Sequence, residues 1–323
     1  MDPDLDPSTP RRVPPELDGQ RLDRILTELF PGRSRAAWQK AVRRGEVLLD
    51  GTPLRRSNIS LRRGQRLSLA EPIEESPPKR PAIEPVVIYA DDDLVVIDKP
   101  AGWLTHPADR ADGPDLVRFA ADRYGPLPVD DDSGLDRAGI VHRLDRHTSG
   151  VIVVARTVSS LGHLRDQFRA RSVRKRYLAL VSGAPSSQRF EVRLPLRPSR
   201  GQADLQLTGE HPSAKAALTR FELVRRLGPA SLLECSPETG RRHQIRAHLA
   251  AVDLPVVGDP LYRPTAQERD QLKRAGVALP RGRHALHAAS LELEHPATGR
   301  AVRFEAPLPD DLATTIERLE AGA

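Results

Sequence analysis

Early in the chain the apolar positions repeat with a helical period. Leu22, Ile25, Leu26 and Leu29 fall at i, i+3, i+4 and i+7, the stripe of an amphipathic helix, and Pro31-Gly32 ends it. Ser34 is placed to cap a second helix whose Ala37, Trp38, Ala41 and Val42 face inward, with Gly45 just past its end. Residues 47–51 read as strand then turn, and 64–69 as turn then strand. From residue 86 the period shortens. Residues 86–89 and 94–97, joined by three aspartates, predict a β-hairpin; 116–124 predict a helix, 126–133 an acidic loop, and 161–168 another helix. Strand-like runs follow at 177–181, 190–194, 203–207, 216–224, 231–235, 286–293 and 301–306, with helical spacing at 243–251 and 312–319. Many strands with few interleaved helices predict an α+β fold: a largely antiparallel mixed sheet flanked by helices and loops.

Composition divides this pattern into parts. Residues 1–15, rich in Pro and Asp, are expected to be a disordered tail. Residues 16–71 form a small first domain. Residues 72–85, with Pro at 72, 77, 78, 81 and 85, read as a stiff linker, and 86–323 as the large domain. The net charge is +6, and residues 16–71 alone carry 12 basic against 7 acidic side chains. That bias favours a polyanionic partner. A single cysteine, Cys235, excludes an internal disulfide and any multi-cysteine metal site. No apolar run is long enough for a bilayer, and the acidic start lacks the features of a signal peptide, so a cytoplasmic protein is expected. There is no dinucleotide fingerprint, P-loop or 20-to-50-residue repeat.

The candidate chemistry lies in one loop. Residues 139–150, Gly-Ile-Val-His-Arg-Leu-Asp-Arg-His-Thr-Ser-Gly, run directly into the apolar segment 151–155, which reads as a buried strand. A polar knot feeding a core strand holds its one carboxylate, Asp145, on a rigid frame where flanking cations keep it ionised.

These residues resemble a known signature. His142-Arg143-Leu144-Asp145 with Thr148-Ser149-Gly150 is similar to the catalytic motif of the RluA/RluD branch of RNA pseudouridine synthases. Lys99-Pro100-Ala101-Gly102 with His106-Pro107, and Lys175-Arg176-Tyr177-Leu178-Ala179, resemble further motifs of that family. So do residues 238–248 (Glu-Thr-Gly-Arg-Arg-His-Gln-Ile-Arg-Ala-His), Gly258-Asp259-Pro260-Leu261-Tyr262 and Leu286-His287-Ala288, in the expected order. The resemblance covers roughly residues 85 to 309 and implies isomerisation of uridine to pseudouridine in structured RNA, with 23S ribosomal RNA favoured over transfer RNA. It makes Asp145 the nucleophile or base, Tyr177 the ring stacked on the everted uracil and Arg246 the partner of Asp145. Arg143 is expected to contact RNA phosphate, His142 to shape the loop, and His106 to touch substrate. Arg242 departs from the pattern, which usually has a threonine there. No redox step or group donor is needed, so neither cofactor nor metal is expected.

The first domain resembles an S4-like RNA-binding domain, whose arginines and lysines, among them Arg35, Lys40 and Arg43, would meet RNA phosphates. A monomer without an obligate protein partner is expected. Two other classes compete with this reading: a non-catalytic RNA-binding assembly factor, and a metal-dependent hydrolase using His142, His147, His243 and His248. The His-x4-His spacings of the latter do not match a helical metal pair.

Overall fold

The computed structural model describes residues 9–30, 38–39, 41–42, 45–54, 56, 59–69, 83–107, 113–129, 137–199, 205–280 and 282–322. Those up to 69 form one compact unit and those from 83 onward another.

In the first unit, α1 (Leu22–Leu29) buries Leu22, Ile25 and Leu26, as its stripe requires. Trp38, Gln39, Ala41 and Val42 are helical, and Trp38, Ala41 and Val42 join the same core; Ser34 and Ala37 lie outside the described residues. Four short strands complete the unit: β1 (Arg11–Arg12), β2 (Val47–Leu49), β3 (Thr52–Pro53) and β4 (Arg66–Leu69), ordered β1-β4-β2-β3 with antiparallel pairing throughout. Strand β1 departs from the tail expected over residues 1–15 at its described end, residues 11–13, while residues 1–8 lie outside the described residues. Arg11 and Arg12 pair with Leu67 and Arg66, Val13 is buried, and the Arg11 guanidinium lies 4.7 Å from the Phe30 ring centre. One buried valine next to a free sheet edge orders a segment whose composition predicts none. The linker lies outside the described residues except for Ile83, Glu84 and Pro85, which take no regular structure.

The second unit is built on a nine-stranded sheet. Its strands are β5 (Val86–Ala90), β6 (Leu94–Lys99), β7 (Ser149–Ala155), β8 (Arg174–Ser182), β9 (Arg189–Val192), β12 (Thr219–Leu227), β13 (Ala230–Pro237), β14 (Leu286–Glu294) and β15 (Ala301–Glu305). Strands β10 (Leu196–Pro198) and β11 (Gln206–Thr208) form a separate pair. The order is β5-β6-β7-β14-β8-β13-β12-β9, with β15 on β14. All pairs are antiparallel except β7 with β14, so the α+β, largely antiparallel expectation holds.

Strands β6 and β7 explain the unbroken apolar runs. Val95, Ile97, Ile152 and Val154 pack against α2 (Leu116–Tyr124), while Leu94, Val96, Val151 and Val153 pack against α3 (Val158–Ala170). Both faces are dry, so alternation disappears. Helix α3 is longer than 161–168 because Thr157 caps it, accepting from the Ser160 N–H. Strand β8 begins before the expected 177, at the basic residues Arg174, Lys175 and Arg176. Three more helices follow: α4 (Gln244–Ala250), α5 (Ala266–Arg274) and α6 (Asp310–Ala321). Helix α5 was not expected, although Thr265 and Glu268 form a capping box that the sequence displays.

Candidate active site

The Asp145 loop is clamped from beneath by the segment that follows β6. Lys99, fully buried, donates through Nζ to the carbonyls of Pro100 (3.1 Å), Trp103 (2.9 Å) and Arg146 (3.0 Å). Thr105 Oγ1 donates to the Leu144 carbonyl and accepts from the Leu144 N–H, and the Gly102 N–H donates to the Arg146 carbonyl. The backbone on both sides of Asp145 is thereby fixed. Gly150 then enters β7 at φ 111°, where a Cβ would lie 2.2 Å from the Ala288 carbonyl oxygen, so only glycine admits the parallel contact with β14. On the far side Arg283, also buried, donates to the His147 and Leu286 carbonyls, to Ser149 Oγ and to Asp311.

Asp145 and Arg246 meet although 101 residues separate them. Arg246, from α4, donates Nη1 to Asp145 Oδ2 at 2.8 Å. Its other face is occupied: Nε and Nη2 donate to the two oxygens of Asp259 at 2.6 and 2.9 Å, and Asp259 Oδ1 also accepts the N–H groups of Leu261 and Tyr262. Asp259 is fully buried and the Asp145 side chain 18% exposed. Burial alone would raise the Asp145 carboxyl; the His243, Arg246 and His284 side chains around it reverse this and hold it below its ordinary value. Burial also opposes the charge on Arg246, but the Asp259 hydrogen bonds and the Asp145 carboxylate raise it above the usual arginine range.

Asp145, Tyr177, Arg246, Arg143, His142 and His106 all line one cleft of about 780 Å³. Tyr177 stands on β8 and touches two core clusters; burial, then the Asp145 charge, pushes its phenol up, so it stays protonated. His106 Nδ1 donates to the Pro107 carbonyl at 2.8 Å, and Arg143 is exposed at the mouth. His142 is committed: its Nε2 accepts the Val153 N–H at 3.0 Å and its ring stacks on Phe168 at 4.7 Å. Burial, with Lys175 beside it, depresses this imidazole to about 3, so it is neutral at physiological pH. Arg35, Lys40 and Arg43 lie outside the described residues.

The four histidines of the hydrolase alternative are not gathered, since His142 holds Val153, His248 lies between Thr219 and the Leu194 carbonyl, and His147 meets His284 edge-on. Among the described residues no group of three His, Cys, Asp or Glu could hold a metal ion.

His243 enters the sequence reading only through the hydrolase alternative. It takes left-handed φ 55° at the start of α4 and places Nε2 3.8 Å from Asp145 Oδ1, while Nδ1 has no partner among the described residues. Burial lowers it to about 4, more than Asp145 raises it, so it carries charge only in the acid range in which Asp145 itself titrates, and Arg246 is the permanent charge. Nothing in the sequence around 243 signals the left-handed backbone. Asp259 was visible only as part of a motif, because its meaning depends on Arg246.

A desolvated carboxylate held by a guanidinium, at the floor of a cleft with an arginine-rich mouth, marks an enzyme that works on a polyanion. The comparisons say which. The profile of RNA pseudouridylate synthases matches residues 93–251. A "Ribosomal large subunit pseudouridine synthase D" of Xanthomonas campestris pv. campestris is 39% identical over 312 residues, 95% of this chain and 91% of that protein. The protein of that name from Pseudomonas aeruginosa is 37% identical, covering 95% and 94%. Among solved structures, human RNA pseudouridylate synthase domain containing 4 aligns with a TM-score of 0.56 at 25% identity, over 72% of this chain and 92% of its own. The chain belongs to the RNA pseudouridylate synthase family, and it is an isomerase of uridine in RNA.

Proposed function

We propose that the chain converts uridine in 23S ribosomal RNA to pseudouridine, with Asp145 as the reacting group. The contact that carries this reading is Arg246 Nη1 to Asp145 Oδ2 at 2.8 Å, inside the cleft that Tyr177 also lines. With Oδ2 held, Oδ1 is the oxygen left to act. It either attacks C1′ as a nucleophile or removes the C2′ proton, and in both routes its negative charge must persist out of water. Arg246 supplies that. The protonated Tyr177 offers a ring on which an everted uracil regains stacking, about 1–3 kcal/mol per base. Arg143, at the mouth, pairs with phosphate beside the target, and His106 touches the nucleotide.

The large-subunit target follows the names of the relatives from Xanthomonas campestris and Pseudomonas aeruginosa. Residues 16–71 act as an S4-like module that positions the RNA through its basic side chains, Arg35, Lys40 and Arg43 among them. The enzyme works as a cytoplasmic monomer; no helix of the described residues is long and apolar enough to cross a membrane. Pseudouridine mapping of ribosomal and transfer RNA, in cells with and without the protein, tests the assignment. A 23S position is lost without it, returned by the wild type and not by Asp145→Asn. Return by Asp145→Asn favours the binding-only alternative, and loss at a transfer-RNA position moves the target.

A further inference from the structure

The mechanism uses one wall of the cleft, formed by Asp145, Tyr177 and Arg246. Another part of the lining has no task in it: Phe168 and Arg171 at the end of α3, His142 opposite, and Lys175 at the start of β8. Phe168 ends an apolar stripe, yet it is only partly buried and reaches the cleft. Its ring lies face to face with His142, 4.7 Å between centres and 18° between planes. His142 cannot swing away, because Nε2 is bound to the Val153 N–H on core strand β7. Neutral and fixed, it serves as a backing plate for Phe168.

Cations surround this pair. Arg171 is close enough to Lys175 to oppose its charge, and Arg165 and Arg169 line the same side. Arg171 is held at left-handed φ 60° as the C-cap of α3, where its N–H donates to the Gln167 and Phe168 carbonyls. A non-glycine residue in that conformation costs free energy, which the two carbonyl bonds closing the helix offset, and the turn carries Phe168 and the Arg171 guanidinium at one corner. An aromatic plane beside closely spaced cations fits one ligand class, the nucleotide of a single strand: the base stacks, the phosphate pairs.

We propose that Phe168, backed by His142 and flanked by Arg171 and Lys175, is a binding subsite for a nucleotide neighbouring the target uridine, stacking its base and pairing its phosphate. The subsite rests on RNA being the substrate and is independent of which uridine reacts. Stacking tolerates every base, so the subsite holds the strand open beside the everted nucleotide without reading sequence.

Binding of a ten-residue oligouridylate to the full chain, followed by fluorescence anisotropy over a range of salt concentrations, tests it. Phe168→Leu keeps the apolar contact with the core but loses the π face; it weakens binding about tenfold with the salt slope unchanged. Lys175→Gln does the reverse, reducing the slope by about 0.7 for one lost phosphate contact. Phe168→Trp retains binding, and the added indole emission is quenched on saturation, a signal that a purely structural phenylalanine would not give. Wild-type-like binding by Phe168→Leu, unquenched emission from Phe168→Trp, or failure of the wild type to bind the oligomer overturns the proposal. Isomerisation of a 23S transcript by the wild type is scored in parallel, so failure of the subsite is distinguishable from failure of the proposed reaction.

Discussion

Arg246 joins two carboxylates that it treats differently. On one side Asp259 is fully buried, takes two hydrogen bonds from the guanidinium and two from backbone amides, and has nothing left to offer. On the other, Asp145 takes one guanidinium hydrogen bond and keeps an oxygen from which His243 Nε2 stands off at 3.8 Å. Saturation suits an anchor; incompleteness suits the reacting group proposed above. One cation between two buried anions leaves a net negative charge in a desolvated place, which favours an approaching electrophilic sugar carbon or an acidic proton and would be wasteful in a purely structural cluster.

Exchanging the two carboxylates for amides separates these roles. Asp145→Asn should reduce the single-turnover rate on a 23S transcript by about 10⁴-fold or more, with the unfolding midpoint in urea unchanged or raised. Asp259→Asn should do the opposite in stability: a buried pair broken on one side costs about 3–5 kcal/mol, read as a lower urea midpoint, and activity falls only because Arg246 loses its orientation. If both variants lost the same stability, the distinction between anchor and reagent would be wrong.

The clamp beneath the loop gives the next effect. Lys99→Met leaves three carbonyls without their donor, so about 3 kcal/mol of stability should go, and turnover should drop while RNA affinity stays. Burial depresses this ammonium to about 7, with Arg283 adding to the effect, yet three carbonyl acceptors favour the charged form, and the protonated state is the one that fits the geometry.

Acid tests the imidazoles around the pair. Burial holds His243 and His287 at about 4, and His284 is pushed down in the same direction. The unfolded chain binds protons on them near pH 6.5 while the folded chain does not, so stability should fall as pH is lowered from about 6.5 to 4. Each histidine contributes up to ~1.4 kcal/mol per pH unit. Asp145 and Asp259 act in the same direction in a lower window: their folded values are depressed, so the stability they add is present above the ordinary carboxylate range and is lost as pH falls below it. Thermal unfolding at pH 7.5, 6 and 5 should show a decline, and a flat profile would contradict neutral histidines. The smallest effect belongs to the exposed mouth. Arg143→Gln should lower RNA affinity and reduce the salt slope by about 0.7–0.9, with turnover at saturation preserved.

What could be read in advance was local. The stripe of α1, the extent of α2 and the unbroken run of β7 follow from neighbouring residues, because each element buries a face that its own period defines. The place of Asp145 in the cleft was legible since its loop concentrates charge just ahead of a dry strand. The roles of Asp259 and His243 depend on a backbone conformation and on contacts across the fold, and periodicity carries neither. Residues 11–13 were misread for a related reason: the edge of β4 that orders them lies more than fifty residues further along the chain.

The position of β14 sets a schedule. This strand, which follows all three site residues in the sequence, is inserted between β7 and β8, and it is the piece that connects the part of the sheet following Asp145 with the part bearing Tyr177. A nascent polypeptide that ends before Leu286 already contains Asp145, Tyr177 and Arg246 but has no β14 to seat them together. Seating of the three side chains therefore waits for β14, and a chain cut before Leu286 should be inactive however well its earlier strands pair.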